Sequence, residues 1–361
     1  LHRYDPADLR NMEFISKEGS FNSLIRKGVL GLELLAPITI RKVFKIPKTL
    51  QPTSFYHIGM AYLQAEENDI NIYANKTSLQ VCKELINTYI IEENEDIYWK
   101  YPYSNNFFYS QQKDPAVFTM HMHGLARANT LLLLTGRKKN NDYFIDIAVR
   151  SILTTLKQHT LVEYPDGSMS ISYYCNSDDV TLNVCAEFAC WISLVPKSMQ
   201  SKRMTEIING IVKLMLNEQK IDGAWDYFSG QHYKKWGNPE TIDCHHTATN
   251  LTILLTILEN SDVLYPETEK KLIESCNLGM NFFISNFFDQ NGRGIELIGR
   301  KRLACSVQYA EAVFALCKYL SSNHCMDMKL KRQISDLLPK IIQQLCSLVK
   351  QDGTAPSGIY F

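Results

Sequence analysis

Apolar residues recur along the chain at helical spacing, in two alternating kinds of segment. Five segments are apolar nearly all round, at about 54–66, 122–135, 180–195, 246–259 and 306–320, and recur every sixty to seventy residues or so. Each is followed by a one-sided segment, at 75–92, 140–158, 200–216, 266–287 and 329–350. In the third of these Ile207, Ile208, Ile211 and Leu214 form the stripe that faces a core. The pattern predicts five helical hairpins, each with a buried inner helix and a half-exposed outer helix.

Turn chemistry separates the hairpins. YPDGSM, KIDGAWDYF, DQNGRGIE and KQDGTAP each carry Asp-Gly or Asn-Gly, which favour tight turns with positive φ. A ring of such hairpins is an all-α, α/α toroid, here incomplete at five to six pairs. Residues 1–50 read as an N-terminal cap or linker with one helix, punctuated by Pro37 and Pro47, and residues 51–361 as the toroid domain. The chain starts at Leu1 rather than Met, which fits a domain of a longer protein.

Composition narrows the function. Lys+Arg and Asp+Glu both number 38, so there is no basic footprint for nucleic acid. No apolar run approaches the 18 or so residues of a membrane span. The ten cysteines show no short-spaced framework and sit mostly in apolar helical runs. They read as buried, reduced thiols of a cytoplasmic protein. There is no P-loop, dinucleotide fingerprint or GxSxG elbow, so no cofactor is expected. Oligomeric state is not legible.

In such a ring the junctions from loop to inner helix share one mouth, and polar residues there line a cleft. Most of the histidines and tryptophans fall at these junctions. Aromatic faces stack on sugar rings, while Asn and Asp meet hydroxyls and Arg meets carboxylates. The expected ligand is therefore a sugar or an acidic glycan. Tyr173, Tyr227, His245, His246 and His123 are the candidates for proton transfer. Tyr103, Arg127, Trp225, Asp243, Asn250, Arg300 and Arg302 are the candidates for substrate binding, with the arginines holding the acidic group. A different reading takes Cys175, Cys244 and His245 as the three protein ligands of an open zinc site.

Several segments resemble a known family. WKYPYS followed by DPAVFTMHMHGLARANTLLLLTG, DGSMSISYY before VTLNV, GAWDYF and DCHHTATNLTILL are similar, in this order, to the C-terminal catalytic domain of the glucuronyl 5-epimerases. That family converts glucuronate to iduronate within heparan-type polysaccharides. The resemblance covers about residues 50–260. It implies an α/α toroid that abstracts the proton next to a uronate carboxylate, giving epimerisation or elimination. It puts Tyr173 and Tyr227 on two catalytic tyrosines, Ser172 on a neighbouring glutamate, Cys244 on a third tyrosine and His123 on a glutamine.

A weaker resemblance is to the lanthionine cyclases, through HGLA, YYCN and DCHHTATN. It would make the Cys175, Cys244 and His245 set a zinc centre of a peptide-modifying enzyme. A toroid that only binds a glycan or a peptide is the third expectation.

Overall fold

The computed structural model describes residues 39, 42–43, 52–70, 76–100, 121–175, 177–227, 242–299, 303–325 and 327–350. The expected N-terminal cap lies outside them, apart from Thr39, Lys42 and Val43. So do Tyr103, Arg300, Arg302 and the KQDGTAP turn beyond Lys350. The chain forms two compact units, divided after Lys157.

In the first unit α1 (Pro52–Glu67) packs against both α2 (Ser78–Tyr89) and α3 (Met122–Lys139). Helix α3 is buried over most of its length, whereas α4 (Asp142–Gln158) shows one buried face through Phe144, Ile147, Ala148, Ser151 and Ile152. Helix α2 opens with a capping box: the Thr77 side chain accepts from the Gln80 amide, and the Gln80 side chain accepts from the Thr77 amide.

The first outer element is shorter than its apolar pattern predicts. The expected helix over 75–92 stops at Tyr89, where Ile90–Glu93 forms β1 and pairs antiparallel with β2 (Asp96–Trp99). Asn94, at φ 55°, makes the reversal. Strand β2 is tied to α4: the Ile97 amide donates to Thr154 Oγ1 at 3.0 Å, and Trp99 Nε1 donates to Ser151 Oγ at 3.0 Å. These bonds across more than fifty residues outweigh the helical pattern of a segment ending in two β-branched isoleucines.

The second unit has two rows of helices. One row is α5 (Leu182–Ser193), α7 (Cys244–Glu259) and α9 (Ser306–Ser321), with α7 packed against both others. The second row is α6 (Lys202–Glu218), α8 (Pro266–Phe287) and α10 (Met328–Leu348), each packed on its preceding partner or neighbour. Every residue of α5 is buried, as expected of an inner helix, while α10 buries only Leu330, Ile334 and Ile341. The YPDGSM turn forms a hairpin of β3 (Leu161–Glu163) and β4 (Met169–Ile171), with Gly167 at φ 83°.

Helices α6 and α8 of the second row are wedged together by Trp225 at Gly279. A Cβ built there would lie 2.6 Å from the Trp225 ring, which is itself fixed by Nε1 donating to the Met215 carbonyl at 2.9 Å. The ring cannot yield without breaking that bond. Gly279→Ala is therefore expected to lower unfolding free energy by about 1–3 kcal/mol. Urea denaturation followed by circular dichroism would check it, and an unchanged midpoint would show that the ring has room to move.

Eight of the ten cysteines are buried, as their apolar settings predict. Burial pushes the thiols of Cys82, Cys185 and Cys190 up to about 12. Among the described residues no helix is long and apolar enough to cross a membrane.

Candidate functional site

The start of α7 organises the second unit's polar cluster. Asp243 is the N-cap, extended at φ −119° and ψ 157°, and its Oδ1 accepts from the His246 amide at 2.8 Å. The loop before it is pinned by the Cys244 amide donating to the Glu296 carbonyl at 2.9 Å and by the Ile298 amide donating to the Ile242 carbonyl at 3.1 Å. His246 occupies the third helical position, where a capping box carries Glu or Gln. Its Nδ1 reaches Asp243 Oδ2 at 2.6 Å.

The electrostatics favour one protonation pattern for this pair. Burial raises the Asp243 carboxyl, but the charge and hydrogen bonds of His246, with His245 nearby, outweigh it and hold the group below its ordinary value. The positive end of the α7 dipole acts in the same direction. An ionised carboxylate only accepts, so Nδ1 of His246 carries a hydrogen toward Asp243. In the neutral imidazole, Nε2 then keeps its lone pair.

Aromatic rings surround this dyad. The Tyr227 ring lies 4.3 Å from that of His246 at 56°, and the His245 ring 4.9 Å away at 72°. The backbone carbonyl of Tyr227 accepts from the Leu182 amide at 3.3 Å, which ties the head of α5 to the same place. Tyr173 and Tyr174 pair at 4.7 Å between ring centroids, and the Tyr173 amide donates to the Asp179 carbonyl at 2.6 Å. The Tyr174 phenol is pushed well above its ordinary value, first by burial and then by Tyr227 and Asp179. It is a proton donor at neutral pH, not a base.

The segment carrying this tyrosine pair is clamped from beneath. Ser172 is buried; its Oγ donates to the Tyr174 carbonyl at 2.8 Å and accepts from the Thr160 amide at 3.0 Å. His159 Nδ1 lies 2.9 Å from the Ser172 carbonyl, and its Nε2 lies 3.3 Å from Cys175 Sγ. A carbonyl only accepts, so the hydrogen sits on Nδ1 and Nε2 takes the Cys175 thiol hydrogen.

The other candidates are placed differently. The Trp225 indole is buried, its Nε1 donates to the Met215 carbonyl, and its ring packs on Gly279 of α8. Asn250 is buried one turn beyond His246 on α7. The zinc set does not assemble: among the described residues no three His, Cys, Asp or Glu side chains are placed to hold a metal. Cys175 is engaged with His159, while burial, with Asp243, Cys305 and Glu311 nearby, keeps Cys244 a neutral thiol.

His123 and Arg127 belong to the first unit. The His121 side chain caps α3, its Nδ1 accepting from the Gly124 amide at 3.0 Å, and its ring stacks on that of His123 at 5.8 Å. Buried Arg127 donates from Nη1 to His57 Nε2 at 2.8 Å and lies over the Tyr56 ring at 5.4 Å. His159 was beyond sequence reasoning, because it ends an outer helix and only packing joins it to Cys175. Tyr174 had a signal, since it adjoins Tyr173 at a junction.

No known protein family matches the chain. No curated protein matches it either. Solved structures do. A sugar epimerase from a ruminal bacterium aligns over 85% of this chain and 79% of its own, with TM-score 0.61 and 14% identity. Cellobiose 2-epimerase from Bacillus thermoamylovorans aligns over 85% and 82%, with TM-score 0.60 and 10% identity. A family 105 glycoside hydrolase from C. acetobutylicum aligns over 84% and 79%, with TM-score 0.59 and 13% identity. At these identities the likeness is one of fold, and it agrees with the helix order: the fold class is all-α, α/α toroid.

Proposed function

We propose that this chain is a carbohydrate-active enzyme of the sugar-epimerase kind, acting on a uronic-acid-containing glycan by removing the proton next to the carboxylate. The observation that carries the reading is the 2.6 Å contact between Asp243 and His246 beside the Tyr227 ring. Similarity to sugar epimerases in fold supports the substrate class. So does the resemblance of DGSMSISYY, GAWDYF and DCHHTATN to the glucuronyl 5-epimerases.

The arrangement offers a base and an acid. His246 Nε2 takes the proton on the carbon bearing the carboxylate, and the electron pair left behind moves into the carboxylate as an enolate. Asp243 stabilises the imidazolium that forms and keeps its ring oriented. A tyrosine phenol, Tyr227 or one of the Tyr173–Tyr174 pair, then delivers a proton to the opposite face and completes inversion. Expulsion of the oxygen substituent on the adjacent ring carbon from the same enolate, with the phenol protonating the departing oxygen, would give elimination instead. Ser172, where the resembling family has a glutamate, contributes no carboxylate, so histidine takes the base's part. Arg300 and Arg302 remain the proposed partners of the substrate carboxylate.

The test is hydrogen exchange. The protein is incubated in deuterated water with a glucuronate-containing polysaccharide, and proton NMR follows the signal of the carbon-bound hydrogen next to the carboxylate. Its loss, with or without iduronate signals, is expected, and His246→Gln should abolish it. No exchange and no unsaturated product, with sugar still bound, would leave a binding toroid instead.

A further inference from the structure

Asp243 reaches His246 because its backbone is held extended, at φ −119° and ψ 157°, within a short antiparallel pairing. On one side of it the Ile298 amide donates to the Ile242 carbonyl, and on the other the Cys244 amide donates to the Glu296 carbonyl. Asp243 and Leu297 face each other between these bonds. From an extended backbone an N-cap carboxylate bends back onto its own helix. The dyad therefore takes its position from residues 296–298, far along the chain.

The approach to those residues is fastened at Gly294. Its carbonyl accepts from the Ala304 amide at 2.9 Å, and the Ile295 amide donates to the Phe287 carbonyl at 2.9 Å. The Gly294 amide donates to the Tyr309 hydroxyl at 2.7 Å, which ties the loop to α9. Tyr309 is buried in the first turn of that helix, whose head Gln308 closes by accepting from the Cys305 amide at 2.8 Å. The loop has little slack, since a Cβ on Gly294 would lie 3.0 Å from both the Ala304 Cβ and the Phe288 ring. Burial raises the Tyr309 phenol, so it keeps its hydrogen at neutral pH and offers the amide a lone pair.

We propose that Tyr309 is a positioning residue of the Asp243–His246 dyad. Through Gly294 it sets the register of residues 294–298 against Ile242–Cys244, and so holds the carboxylate on Nδ1 of His246. The inference rests on the dyad's part in proton transfer proposed above. Without the hydroxyl a buried amide loses its acceptor, and the loop shifts to satisfy it. A shift of about an ångström at a reacting group is enough to cost a large factor in rate.

The test compares Tyr309→Phe with Tyr319→Phe. Tyr319 is also buried on α9, and its hydroxyl donates to Asn277 Oδ1 at 2.6 Å, so each variant deletes one tyrosine hydrogen bond from the same helix. With isotope-labelled histidine, two-bond nitrogen–proton NMR reads which ring nitrogen carries hydrogen, and the His246 signals are those lost in His246→Gln. Wild type and Tyr319→Phe are expected to show the Nδ1–H form of His246, and Tyr309→Phe a mixture of both tautomers. Hydrogen exchange on the polysaccharide should fall at least about tenfold in kcat for Tyr309→Phe, with KM within about twofold of wild type. Tyr319→Phe should keep the wild-type rate.

An unchanged His246 tautomer in Tyr309→Phe would overturn the proposal. Equal changes in both variants would overturn it too, because they would mark a general loosening of α9, as would a wild type lacking the Nδ1–H form. A tautomer change confined to Tyr309→Phe, in a protein whose wild type exchanges no hydrogen, would sink the enzyme reading and leave the positioning role standing.

Discussion

Asp243→Asn is expected to reduce hydrogen exchange on substrate by about 10²–10⁴-fold while leaving the fold intact. Asn caps a helix about as well as Asp, so the bond to the His246 amide survives. What changes is the partner of His246 Nδ1, now 2.6 Å from a charged oxygen. An amide cannot stabilise an imidazolium as a carboxylate does, and it can present NH₂ to Nδ1, which places the ring hydrogen on Nε2 where the base's lone pair is needed. Deuterium exchange measured beside a thermal melt checks both halves. A rate within a few-fold of wild type would show that His246 does not act through Asp243.

The same substitution changes the acid limb of stability. The Asp243 carboxyl is held below its ordinary value in the folded chain. Its contribution is fully present above an unfolded value of about 3.9 and is lost as pH falls through the folded one. Asp243→Asn removes that dependence, so the variant should lose less stability than wild type on acidification below about pH 4.

The helical hairpins were legible because burial on two sides and burial on one side leave different apolar patterns. Helix α5 is buried at every position and reads as unbroken apolar sequence, while α6 shows Ile207, Ile208, Ile211 and Leu214 on one face. The hairpin of β1 and β2 was not legible. Its first strand continues the helix's apolar run, and what ends the helix is a pairing fixed by Thr154 and Ser151 far along the chain. The Asp243–His246 dyad follows from an Asp three residues before a His at a helix start, a spacing that local geometry turns into contact. The packing of Trp225 on Gly279 was not legible, because an aromatic at a junction looks alike whether it stacks on a sugar or fills the gap over a glycine. The alternative zinc trio does not assemble, because packing directs Cys175 to His159, and sequence spacing does not encode that direction.

His159 should give the chain a steep loss of stability in mild acid. Burial pushes its imidazole down to about 4, against which the Ser172 carbonyl offers only partial compensation. The neutral ring fits its place: Nδ1–H donates to that carbonyl and Nε2 receives the Cys175 thiol. A second ring proton would bury a charge and set two donors against each other. In the unfolded chain the same imidazole titrates near 6.5. Between these values the unfolded state binds more protons, so stability is whole above about pH 6.5 and declines as pH falls toward 4, by up to about 3 kcal/mol from this one residue. His159→Gln is expected to cost about 1–3 kcal/mol at pH 7 through lost hydrogen bonds, yet to flatten the decline between pH 6.5 and 4.5. Urea denaturation of both proteins across that interval isolates the effect, since every other titrating group is common to the two. Because His159 clamps the strand end that carries Tyr173 and Tyr174, hydrogen exchange on substrate should fall along the same acid limb in wild type and be less pH-dependent in the variant. Parallel stability curves for the two proteins would show that His159 is not held neutral in the folded chain.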